Sequence, residues 1–249
     1  MRQIEKPSAL TRLNKILAQS GVCSRRRADE LIQAGNVSVN GAVVTQLGYR
    51  ADQSKDAISV NGVLLNREQK VYIMLHKPTG YITTVRDAHA EKTVFDLLPS
   101  LTVRLFPVGR LDKETSGLLL LTNDGDLSYQ LTHPKFGVER EYQVRVRGRV
   151  NASTRQRIER GGIPLDENVS AACVITRCVP GQDHTDFELI IREGRNREVR
   201  RICKAVNHPV ITLTRVRFGN LQLGDLALGS WKNLRRQDIH LNTARPRAR

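Results

Sequence analysis

Residues 141–148 read EYQVRVRG, a strict alternation that sets Tyr142, Val144 and Val146 on one side of an extended chain and Gln143, Arg145 and Arg147 on the other. A period of two is that of a β-strand. Other segments have strand character without the alternation: the apolar run VYIML (71–75), LFPVG (105–109), GLLLLTN (117–123), and stretches at 169–178, 185–192 and 210–218. Helical signals in this part of the chain are fewer. Thr93 is placed to cap a short helix through Leu98, Asp126 to cap DLSYQLTH, and a helix is expected from about 195 to 207. Strands outnumber helices and do not alternate with them regularly. The pattern predicts an α+β fold with a mixed, mainly antiparallel sheet, not a doubly wound one.

The first sixty residues differ. Thr11 can cap a helix carrying Leu13, Ile16 and Leu17 and closed by Gly21; Ser24 can cap a second carrying Ala28, Leu31 and Ile32 and closed by Gly35. Two similar strings follow, VSVNGAVV and ISVNGVLL, each with an Asn-Gly pair that supplies the positive φ angles of a tight hairpin. The expected organisation is a helix–helix–hairpin module over 11–62, a linker at NREQK (66–70), a larger unit over 70–240, and a basic, flexible tail over 241–249.

The chain of 249 residues carries a formal charge of +15. The surplus is 4 over residues 1–68, 6 over 69–230 and 5 over 231–249, so a basic tail alone does not explain it. Such a charge points to a polyanion, most simply nucleic acid. No run of 18 apolar residues offers a membrane span, and the N-terminus lacks a secretory signal. Cys23, Cys173, Cys178 and Cys203 form no CxxC pair, which argues against a zinc ribbon or a disulfide framework and fits the cytoplasm. There is no P-loop, no GxGxxG and no His/Cys spacing for a metal, so neither cofactor nor metal is expected.

Arg25, Arg26 and Arg27 follow the cap Ser24 directly. Cations at a helix N-terminus oppose its dipole, each at a cost of about 0.3–1 kcal/mol. A phosphate placed there would reverse that argument, so these three are read as RNA contacts rather than a solvated charge run.

The stretch GRLDKETSGLLLLTNDG (109–125) sets a polar loop between two apolar strands. Arg110 and Asp112, two apart in extended chain, point the same way. A carboxylate at the mouth of a sheet is either a structural anchor or a nucleophile, and the residues alone leave both open. In EGRNREVRRICKAVNH (193–208), Val199, Ile202, Cys203 and Val206 form an apolar stripe. Cys203 faces the core by this spacing and is expected to be inert. Arg200 sits on the border of the stripe, where its side chain could be drawn inward. Arg197, Arg201 and Lys204 read as a solvated face able to touch phosphates.

Residues 109–125 resemble the signature of the ribosomal RNA pseudouridine synthases, in the branch of RsuA and RluB. HKPTGY (76–81), VFDLLP (94–99), EREYQVRV (139–146) and EGRNREVRR (193–201) support the resemblance, the last two on the large-subunit, RluB-like side. Residues 12–41 resemble the S4 RNA-binding module. The resemblance implies an S4-like domain, a catalytic domain of the pseudouridine synthase fold, and cofactor-free isomerisation of uridine in ribosomal RNA, most simply of the large subunit. Its catalytic residues would be Asp112, Tyr142 stacking on a flipped uracil, and Arg200 pairing with Asp112 and holding it ionised. Arg110 would hold the RNA or fill the gap left by the extruded nucleotide, with Lys77 and Arg195 as lesser phosphate contacts. The RNA would be a stem-loop or precursor particle met by a monomer without an obligate protein partner. The rival readings are a non-catalytic RNA-binding or assembly factor, and an enzyme acting on small-subunit RNA.

Overall fold

Both Asn-Gly pairs take the backbone angles their turns require, with φ of +51° and +80° at Asn40 and Gly41 and +50° and +80° at Asn61 and Gly62. The computed structural model describes residues 10–66, 68–85, 92–166 and 168–241. The chain divides into two compact units, Met1–Lys70 and Val71–Arg249. Residues 242–249, the greater part of the expected tail, lie outside the described residues.

In the first unit the two hairpins join. Strands Val37–Val39 and Ile58–Val60 pair antiparallel, flanked by Ala42–Val43 and Val63–Leu64 in a four-stranded sheet. The hydroxyls of Ser38 and Ser59 meet across the joint at 2.6 Å. Helices Leu13–Gln19 and Arg25–Gln33 cover it, burying Leu13, Ile16, Leu17, Ala28 and Ile32 with Val37, Val39, Ile58 and Val60. Ser24 caps the second helix, its hydroxyl accepting from the Arg27 amide at 3.2 Å. Thr11 does not cap the first. Thr11–Arg12 is extended and pairs with Arg50–Ala51, and the Leu13 amide donates to the Tyr49 carbonyl at 2.8 Å. Backbone pairing has taken over what a side-chain cap would supply.

The larger unit is built on a nine-stranded sheet. Its main path runs Val174–Pro180, His184–Ile191, Arg140–Arg147, Val210–Phe218, Ser116–Thr122, Tyr72–Lys77, Trp231–Asn233. All neighbours are antiparallel except Val210–Phe218 against Ser116–Thr122. At that parallel joint Gly117 lies beside Arg215, with φ +114°, and a Cβ there would run into the Arg215 backbone. No other residue type fits. Two buried clusters occupy the unit, one around Leu75, Leu119, Val144 and Leu189, the other around Leu118, Leu120, Leu127 and Phe218.

Along Arg140–Arg147 burial alternates as the sequence predicts, with Tyr142, Val144 and Val146 inside. Three expectations shift. Helix Gly125–Thr132 is capped by Asp124, whose carboxylate accepts from the amides of Asp126 and Leu127; Asp126 lies inside the first turn. The stretch 169–178 is broken: Asn168–Val169 forms a hairpin with Pro164–Leu165, and Val174–Pro180 joins the large sheet. The last long helix is confined to Glu198–Ala205, because Arg197 is left-handed at φ +51°.

Candidate active site

The Asp112 loop joins Phe106–Pro107 to Ser116–Thr122, and its backbone is tethered from three directions. From the first, Lys77 ends the strand Tyr72–Lys77 and points its ammonium into the loop. It donates to the carbonyls of Thr115 (2.8 Å), Pro78 (3.0 Å), Asp112 (3.1 Å) and Lys113 (3.5 Å). Lys77 is 0% exposed, and burial pulls its pKa down to about 8 against the upward pull of the Asp112 and Glu114 carboxylates. From the second, the Thr83 hydroxyl donates to the Leu111 carbonyl at 2.7 Å and accepts from the Leu111 amide at 3.3 Å. From the third, Arg200 donates through Nη2 to the Glu114 carbonyl at 2.8 Å and to Thr115 Oγ1 at 3.3 Å, and Arg197 pairs with the Glu114 carboxylate at 3.1 Å.

Tethered in this way, the loop presents Asp112 half-buried at a cavity of about 390 Å³. Arg110, Asp112, Tyr142, Leu213, Arg215 and Phe218 are among its walls. The Asp112 carboxylate makes no hydrogen bond or ion pair with any described residue, and Asp112 lines the cavity. Tyr142 is buried and lies across the strand pair from Arg215, whose other neighbour is Gly117. Tyr142 is therefore set on a strand of the sheet, and Asp112 on a tethered loop between two strands.

Two expected roles need correction. Lys77 cannot reach a phosphate, since its ammonium is enclosed by the carbonyls it serves. Nor does Arg200 form the expected ion pair with Asp112. Its guanidinium is captured by the backbone of Glu114 and by Thr115. Burial and the neighbouring Arg197 push the Arg200 pKa down, and the Asp112 and Glu114 carboxylates oppose them.

Other basic positions divide by exposure. Arg25, Arg26 and Arg27 are exposed at the start of their helix; Arg27 pairs with Glu30 at 2.6 Å. Arg110 is exposed on the cavity wall, with no ion pair to a described residue. Arg195 also lines the cavity but is held by Glu193 at 2.7 Å and by the Val169 carbonyl at 2.8 Å. Arg201 pairs with Asp166 at 3.4 Å, and Lys204 stands exposed. The stripe Val199, Ile202, Cys203 and Val206 is buried as expected, and burial raises the Cys203 thiol to about 12, which keeps it protonated and inert.

Two residues of the cavity wall were not anticipated from the sequence, Arg140 and Arg215. Both are buried, and their guanidinium groups lie 5.2 and 4.8 Å from the Phe218 ring centre. Arg140 donates to the carbonyls of Val138, Arg192 and Leu131. Arg215 donates through Nε to the Leu118 carbonyl at 2.8 Å, and its buried Nη2 has no partner among the described residues. A signal existed: Arg215 lies two residues from Leu213 and so shares its inward face.

An acid on a tethered loop, at a cavity with a buried tyrosine and arginines, agrees with comparisons to known proteins. The model of the RNA pseudouridylate synthase family matches residues 71–205, and that of the S4 domain matches 11–58. The chain belongs to the RNA pseudouridylate synthase family and is an isomerase of that kind. It is 40% identical over 232 residues to the ribosomal large subunit pseudouridine synthase B of Bacillus subtilis, covering 92% of this chain and 94% of that one. The protein of the same name from Vibrio vulnificus is 40% identical, with 92% and 73% covered. A crystal structure of a pseudouridylate synthase superposes with a TM-score of 0.64 at 28% identity, covering 91% of this chain and 97% of that one.

Proposed function

We propose that this enzyme converts uridine to pseudouridine in ribosomal RNA of the large subunit, acting on a uridine turned out of its helix into the Asp112 cavity. The reaction breaks the bond between N1 and C1′, turns the uracil, and joins C5 to C1′. The proton lost from C5 is matched by one gained at N1. Nothing is oxidised or hydrolysed, so the reading needs no cofactor. The observation that carries it is the convergence of Asp112 and Tyr142 on one cavity, with the acid's oxygens unengaged and its loop tethered.

In this reading Asp112 is the catalytic carboxylate and Tyr142 stacks on the flipped base. Arg200 is a positioning residue, holding the loop at Glu114 and Thr115, just past the acid. Turning a base out of a duplex costs a few kcal/mol, and Arg110 at the mouth occupies the space it leaves or holds the strand. The S4-like module over 11–62 binds RNA through Arg25, Arg26 and Arg27. The catalytic unit, over 70–240, adds phosphate contacts from Arg195, Arg197, Arg201 and Lys204 where these side chains reach solvent.

The test is tritium release from large-subunit rRNA transcribed with [5-³H]uridine. Wild type should release tritium and Asp112→Ala should fall to background. Release by neither, with RNA binding intact, would favour a non-catalytic RNA-binding factor. Release only from small-subunit rRNA would move the substrate and keep the chemistry.

A further inference from the structure

Helix Gly125–Thr132 ends at the cavity, where Thr132 is part of the wall and the Leu131 carbonyl receives Arg140. One turn back stands Tyr129, 47% exposed and a member of none of the buried clusters. Around it are two more rings. His133 lies 4.8 Å from Tyr129 between ring centres, and Phe136 lies 5.8 Å away, edge to face. Lys135 holds its ammonium 4.9 Å from the Tyr129 ring centre and 4.8 Å from that of Phe136. His133 Nδ1 accepts the Lys135 amide hydrogen at 3.2 Å, which in the neutral ring puts the proton on Nε2. Only eleven aromatics occur in the whole chain. Two of them, with a histidine and a lysine, are gathered at the surface beside the cavity.

Packing does not account for this arrangement. Phe136 leans on the core around Leu127 and Leu131, but Tyr129 leaves half of itself in water. Rings with a neighbouring cation, beside a site with a net-positive setting, match the chemistry of a nucleotide: a base offers a π-face and the adjoining phosphate a negative charge. A protein partner would be expected to need a broader apolar surface than one half-exposed ring.

We propose that Tyr129, His133, Lys135 and Phe136 form a nucleotide-docking platform on the cavity rim, where Tyr129 stacks on an unpaired base near the reacting uridine and Lys135 takes its phosphate. The inference rests on the RNA reading above. It adds a contact for the strand on the helix side of the mouth, in addition to Arg110 on the loop.

The test measures the affinity of the full-length chain for large-subunit rRNA across a salt series, with single-turnover tritium release beside it. Base stacking sets the expected loss for Tyr129→Ala at about 5- to 150-fold in Kd, with the slope of log Kd against log salt unchanged. Tyr129→Phe should restore most of the affinity. Lys135→Ala should reduce that slope by about 0.7–0.9, the signature of one phosphate. Tyr129→Ala within twofold of wild-type affinity would overturn the platform, as would a Tyr129→Phe variant as weak as Tyr129→Ala. The binding arm needs no turnover, so a wild type that binds rRNA and releases no tritium would sink the isomerase reading while the affinities still judged the platform. A wild type that bound no rRNA would overturn both.

Discussion

Arg25, Arg26 and Arg27 of the N-terminal unit stand in solvent at a helix start, two of them without an ion pair to a described residue. Lys77, Arg140 and Arg215 of the larger unit are buried; Lys77 and Arg140 spend their donors on backbone carbonyls, and Arg215 gives its Nε to one. The first group opposes its helix dipole, with only exposed contacts to Glu30 and Asn14 in return. The second is held by the fold, out of contact with solvent, and its engaged donors are not available to a phosphate. The net charge of +15 therefore counts buried cations that cannot touch RNA together with exposed ones that can. Substitutions at the two kinds of site should differ in which measurement responds.

The greatest effect is expected at Lys77. Lys77→Met keeps most of the volume and removes the ammonium donor from all four carbonyls; those of Asp112 and Lys113 keep the Thr115 and Gly80 amides, while those of Pro78 and Thr115 lose the donor that holds them. A buried carbonyl left without a donor costs about 1–3 kcal/mol, so the unit should lose about 2 kcal/mol or more, read in urea unfolding. Misplacement of a catalytic group by 1 Å can cost about 10²-fold, and single-turnover release should fall by at least that. Turnover near wild type would mean that the loop keeps its shape without the ammonium.

At the exposed group the signature is reversed. Replacing Arg25, Arg26 and Arg27 together by Ala should lower the slope of log Kd against log salt by about 2–3 and weaken rRNA binding on the order of tenfold or more. The fold should be untouched or slightly firmer, because each cation at the helix start costs about 0.3–1 kcal/mol at low salt. Thermal unfolding of the triple variant checks that half. A loss of stability comparable to that of Lys77→Met would erase the distinction between the two regions.

What the sequence made legible was local. The alternation around Tyr142, the Asn-Gly turns and the Ser24 cap each depend on residues within a few positions of one another. Errors came where neighbours compete or distant chain intervenes. Asp124 and Asp126 are equally good caps by type, and Asp124 wins because it is the last extended residue before the helix. Thr11 lost its role to a strand formed with Arg50–Ala51. Helix Ala152–Arg160 went unread because it buries only Ile158. For the site, Asp112 stood out in a motif, but the fate of Lys77 was hidden. A lysine at the end of an apolar strand reads as a surface charge until the loop 35 residues away brings its carbonyls. Arg200 likewise sits where the spacing predicted, at the edge of the apolar stripe, yet its direction was decided by the Glu114 carbonyl.

The mildest effect separates the regions by pH. Burial lowers the Lys77 pKa from 10.5 to about 8. Between those values the unfolded chain holds a proton that the folded chain releases, so stability from this site rises with pH from about 8 to 10.5. The cost of burying the charge is fully present below about pH 8. Catalysis should move the other way. The ammonium offers three donors to its four carbonyls, and the neutral amine offers two and turns a lone pair towards them. Single-turnover release by wild type should therefore decline above pH 8, by no more than about tenfold per pH unit. The residual release of Lys77→Met should lack that limb. A guanidinium stays charged across this range whatever its setting, so rRNA affinity carried by arginines should stay level from pH 7 to 9.5 while turnover drops. A parallel fall in affinity and turnover would place the titrating group on the RNA surface and not beneath the Asp112 loop.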